Sequence, residues 1–137
     1  MADILAPVSA GDLVDRLSIL RLKSERFEDP TKRANVLTER QALEAVAAHA
    51  LPASDDLAAL SAQLHGINAT LWTIEDDIRA CEARGDFGPD FIRLARAVYQ
   101  TNDRRSAVKR EINRLLGSEI IEEKSYGGRN GGDAGKG

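Results

Sequence analysis

The sequence predicts an all-α protein: a bundle of about four helices, two long (about 54–84 and 89–116) and two shorter, with no β-sheet. Three observations carry this prediction. Leu57, Leu60, Leu64, Ile67, Leu71, Ile74 and Ile78 recur at spacings of three and four, the period of one buried helix face. No run of Val, Ile, Thr and aromatic residues alternates as a strand would. Helix-starting and helix-stopping residues fall where the periodic segments begin and end.

The first helix opens at Ser9, an N-cap with Asp12 three residues on, and carries Leu13, Val14, Leu17, Leu20 and Phe27. Asp29-Pro30 ends it and starts the next, Asp as N-cap and Pro at the first helical position. The second helix carries Val36, Leu37, Leu43 and Val46 and is rich in Ala, which lets a neighbour approach closely. The third begins at Ser54, with Asp55 and Asp56 in a first turn that favours negative charge, and stops at Gly85. The fourth starts near Pro89 with Phe91, Ile92, Ala95, Val98 and Tyr99 inward; Val108, Ile112, Leu115 and Leu116 resume before Gly117. Between them, Gln100 to Ala107 holds no large apolar residue. With no Gly or Pro in that gap, one continuous helix is the preferred reading; a break with Asn102 or Asp103 as a new N-cap is the alternative. Ile120, Ile121 and Tyr126 form a docking segment.

At 137 residues the chain suits a single helical domain over 1–126, followed by a disordered Gly-rich tail over 127–137. Its lone cysteine, Cys81, excludes an intrachain disulfide and any multi-cysteine metal site, and it falls opposite the apolar stripe. His49 and His65 are not spaced for a metal and read as surface residues. No metal and no cofactor is expected. The start of the chain has an acid where a signal peptide needs positive charge, and no stretch reaches a membrane span, so a cytoplasmic location is expected. Net charge is −3, but residues 93–114 hold seven basic groups against two acids, leaving the rest at −8. An acidic chain without aromatics among its basic residues does not suit nucleic acid.

The polar gap has a partner on the third helix. At about 100° per residue, Asn68, Trp72, Glu75 and Arg79 share one side of that helix, with Asp76 further out. On the fourth, Asn102 and Arg105 lie near the inward line, with Lys109 and Asn113 on its flank. Charges directed inward need partners, so Arg105 and Lys109 require an anion or an acid opposite. Glu75, Asp76, Glu122 and Glu123 are the acids expected there.

The stretches "GDLVDRLSILRLKSER", "NATLWTIEDDIR", "FIRLARAVYQTNDRRSAVKREIN" and "GSEIIEEKSY" resemble, over nearly all of residues 9–126, a bacterial family catalogued as a domain of unknown function. That resemblance marks Asn68, Trp72, Glu75, Asp76, Arg79, Asn102, Asp103, Arg105, Lys109, Asn113, Glu122, Glu123, Lys124 and Tyr126 as motif positions. It implies small helical proteins often encoded near surface-glycan and glycosyltransferase genes. The expected function is a non-catalytic binding or adaptor protein of surface-glycan metabolism, holding a small anionic ligand or a protein partner's carboxylate between Arg79, Arg105 and Lys109. One alternative is a small all-α enzyme similar to chorismate mutases, which act by electrostatics alone. The other is a purely structural polar network that sets bundle register or pairs two copies in a homodimer.

Overall fold

The computed structural model describes residues 2–124. Among the described residues there are four helices: α1 (Ala10–Arg26), α2 (Pro30–Ala50), α3 (Asp55–Arg84) and α4 (Pro89–Leu116). The 127–137 tail and Tyr126 lie outside the described residues. There is no strand among the described residues. The boundaries follow local chemistry. Ser9, Asp29 and Ser54 each accept a hydrogen bond from the backbone N–H three residues on, and Gly85 and Gly117 end α3 and α4 in the left-handed region at φ 68° and 66°.

The polar gap is helix: α4 runs through residues 100–107 without interruption. The short turn after Gly85, in which Asp86 Oδ1 accepts from the Gly88 N–H at 3.1 Å, brings α4 back along α3. Those two pack most extensively, α1 lies across both, and α2 packs on α1 alone. The core is built from Val14 of α1, Leu57, Leu64 and Ile67 of α3, and Val108 and Ile112 of α4, with Leu64 and Ile112 fully buried. Each such burial is worth roughly 1.5–3 kcal/mol.

Because α1 has helices on both sides, it is buried on two faces: Leu13 and Leu20 on one, Gly11, Asp15, Ser18 and Leu22 on the other. Helix α2 contributes only Val36 to the interior. Leu37 and Val46, expected inward, are half exposed, because their helix has one neighbour rather than two. On α4, Ile92 and Tyr99 are likewise on the surface, and Leu94 and Thr101 take the buried places. Cys81 is buried, not opposite the core. Ile120 and Ile121 do not dock: both are exposed, and the acids after them make the contact with α4.

The N-terminus of α1 rests directly on α4. The N–H groups of its first three residues, which no helix can satisfy internally, all find acceptors. The Ala10 N–H reaches Ser118 Oγ (3.4 Å), Gly11 reaches Asn113 Oδ1 (2.6 Å) and Asp12 reaches Ser9 Oγ (3.1 Å), before Leu13 begins the regular helix bonding on the Ser9 carbonyl. The contact is close because residue 11 has no side chain; a Cβ there would run into the Lys109 carbonyl oxygen and Asn113 Oδ1. Gly66, on α3, faces open space. Two alanine substitutions therefore have opposite signs in denaturant unfolding. Gly11→Ala loses about 1–3 kcal/mol from the backbone clash, and Gly66→Ala gains roughly 0.5–1 kcal/mol of helix propensity.

Candidate functional site

The inward polar groups organise around a residue of α1. Asp15 is 2% exposed and holds three donors from two other helices. Arg105 of α4 grips it bidentately, Nε on Oδ1 at 3.0 Å and Nη2 on Oδ2. Asn68 Nδ2 of α3 donates to the same Oδ1 at 2.9 Å. A fork-to-carboxylate pair is among the strongest side-chain contacts, and it fixes orientation as well as distance. The Asp15 hydrogen bond, foremost, holds the Arg105 guanidinium above its ordinary pKa, so its charge persists.

Around this pair the network is closed. Asn68 Nδ2 also donates to Ser18 Oγ (3.1 Å), which lies 2.9 Å from His65 Nδ1. Arg105 Nη1 reaches Asn102 Oδ1 at 3.4 Å. Lys109 Nζ sits 3.7 Å from both Asp12 and Asp15 and donates to Glu122 at 3.1 Å; Arg110 pairs with Glu123 at 3.3 Å. No fully buried side-chain nitrogen or oxygen among the described residues lacks a partner.

These contacts correct one expectation and divide the expected set. The acid opposite Arg105 is Asp15; Glu75 and Asp76 pair with neither Arg105 nor Lys109. Asn68, Asn102, Arg105, Lys109 and Asn113 belong to the network joining α1, α3 and α4, and Glu122 closes it from outside. Asp103 and Lys124 are exposed and make no side-chain hydrogen bond among the described residues. His65 is half-buried and hydrogen-bonded, not a plain surface residue. Asp15, Ser18 and Gly11 were not anticipated. Their signal is a spacing: Gly11, Asp15, Ser18 and Leu22 follow one another by four, three and four, a second inward line beside the leucine stripe.

Trp72, Glu75, Asp76 and Arg79 line something else, a cleft of about 440 Å³ between α1 and α3 that Arg105 reaches from α4. Its apolar wall is Ile19, Leu22, Phe27, Leu71 and Trp72, and Asn68 and Arg105 form its inner end. The Trp72 ring is fixed by Phe27, 6.0 Å away and tilted 54°, and by the Arg26 guanidinium 5.5 Å from its centroid. Glu75 and Arg79 form no salt bridge with each other or with any described residue, so the rim keeps its hydrogen-bonding capacity. Among the described residues no three His, Cys, Asp or Glu converge on a metal position, and no helix is long and apolar enough to cross a membrane.

Network and rim respond differently to truncation. Asn68→Ala leaves Asp15 and Ser18 without their shared donor and lowers unfolding free energy by about 1–3 kcal/mol; Arg79→Gln, at the exposed rim, stays within about 0.5 kcal/mol of wild type. The Ser18–His65 contact adds a pH term. Burial first, then the neighbouring Arg21, lowers the His65 pKa below its ordinary 6.5. The folded protein thus binds this proton less readily than the unfolded chain. The associated stability is complete above pH 6.5 and lost as pH falls through the folded value. Between about pH 8 and pH 5, the melting temperature of wild type should fall more steeply than that of His65→Asn.

Neither a curated protein nor a solved structure shows significant similarity to the chain. Its long motifs on α3 and α4, with the α1 stretch that faces them, place it instead among sequences grouped without an assigned activity. Residues 4–131 match the profile described as Family of unknown function (DUF6165), and the chain belongs to that family.

Proposed function

We propose that this is a non-catalytic binding protein whose cleft between α1 and α3 takes a saccharide-type ligand, in the setting of bacterial surface-glycan metabolism in the cytoplasm. The observation that carries the reading is the cleft's composition: a fixed tryptophan in an apolar wall, beside two carboxylates and an arginine that no described residue pairs. A sugar ring has apolar C–H faces that lie against an aromatic ring and equatorial hydroxyls that carboxylates and guanidinium groups bind side-on. Pockets that bind small molecules commonly combine an apolar wall with a few placed polar groups.

Charge favours an uncharged ligand over a simple anion in this cleft. Lys109 does not line it, being placed among Asp12, Asp15 and Glu122. Arg105 does, but its charge is already answered by Asp15, and Glu75 and Asp76 oppose Arg79. The same neutralisation speaks against an electrostatic isomerase, which needs cations free to meet a charged substrate. A structural role for the buried set is the second reading. It is favoured by the closed hydrogen bonding of Asp15, Ser18, Asn68 and Arg105, and it is compatible with ligand binding in front of that set.

Trp72 is the only tryptophan in the chain, so its emission reports on the cleft alone. Titration with neutral hexoses, amino sugars and uronic acids should give a saturable change for at least one of them. Glu75→Gln should weaken it roughly ten- to a hundredfold, the value of a charge-assisted hydrogen bond of about 1.5–3 kcal/mol. Flat emission with every saccharide would contradict the proposal.

A further inference from the structure

A second cavity, of about 230 Å³, lies on the other side of α1, between α1, α2 and α3. It shares no lining residue with the cleft. Its polar lining is Ser18 and Arg21 of α1, Arg40 and Glu44 of α2, and Ser61 and His65 of α3. Two arginines and a histidine face one small space across three helices. Glu44 is the one carboxylate in the lining.

The arginines are incompletely paired. Arg40 uses Nε on Glu44 at 3.2 Å, and Arg21 has Nε 3.7 Å from Glu25; the terminal nitrogens of both make no hydrogen bond among the described residues. Ser18 Oγ, which accepts from Asn68, holds His65 Nδ1 at 2.9 Å, and Nε2 makes no hydrogen bond among the described residues. Once the ring is protonated, Nε2–H is a further donor. Around the ring stand Arg21, Glu25 and Arg26 from α1 and Arg40 and Glu44 from α2, a near balance of charge that an arriving anion would tip towards protonated histidine.

We propose that this cavity is a second ligand site, taking a small oxyanion such as a phosphate or carboxylate group between the guanidinium groups of Arg21 and Arg40 and Nε2 of His65. Guanidinium edges match the geometry of such groups, and two of them converging from different helices give a site that a single surface arginine does not. At about 230 Å³ the cavity has room for one such group with part of its hydration. The proposal is independent of saccharide binding in the cleft.

The ring resonances of His65 and His49, the chain's two histidines, provide the test. Near pH 7, inorganic phosphate or acetate at millimolar concentration should shift His65 saturably and raise its apparent pKa, and leave His49 unmoved. Chloride at matched ionic strength should do neither. Arg40→Gln and Arg21→Gln, at partly exposed positions, should melt close to wild type and lose the response tenfold or more. The proposal is overturned if neither anion moves His65, if chloride moves it equally, or if both arginine variants respond as wild type does.

Discussion

One buried carboxylate sets the arrangement of the helices. Asp15 has left water almost completely, a change that costs several kcal/mol for an isolated charge and is tolerable only with close, well-directed partners. Its partners come one from α3 and two from α4, so α1 can sit in only one register against both. A slip of one turn along α1 would place Gly11 or Ser18 opposite Arg105 and leave the guanidinium without a carboxylate. The Gly11 contact acts in the same sense one turn earlier, where backbone meets backbone and Asn113 takes the free N–H. Apolar burial supplies most of the driving force for packing; these polar contacts select which packing is reached.

The same network connects the two cavities. His65 lines the small one; Ser18, Asn68 and Asp15 follow in sequence through the interior; Arg105 ends the chain of hydrogen bonds at the cleft. Each member is held by the next, so the side chains at the inner end of the cleft are positioned before any ligand arrives. Such preorganisation lowers the ordering cost of binding. It also explains why residues of one motif divide between two tasks. Asn68 and Arg105 face both the network and the cleft, whereas Trp72, Glu75 and Arg79 face the cleft alone.

Much of this was legible in the residues. The caps at Ser9, Asp29, Ser54, Gly85 and Gly117 are local signals, and the structure uses each where its chemistry places it. The continuity of α4 could be argued from the absence of Gly and Pro. A helical wheel assembled the inward polar groups of α3 and α4, because each group's position depends only on its own helix. Asp15 escaped for the complementary reason. The spacing of Gly11, Asp15, Ser18 and Leu22 marks a second line along α1, but whether that line is buried depends on how many neighbours the helix has. The apolar residues of α2 misled in the opposite direction, since Leu37 and Val46, on opposite sides of the helix, would be buried only if further helices came to cover them.

The most direct test of this account is a double-mutant cycle of Asp15→Ala and Arg105→Ala, read by denaturant unfolding. If the buried pair holds α1 in register, each single change is strongly destabilising, because it strands the other charge. The double variant should then lose less than the two singles together, with a coupling near the upper end of the roughly 0.5–3 kcal/mol seen for contacting residues. Additivity to within about 0.3–0.5 kcal/mol, the behaviour of independent sites, would contradict the account.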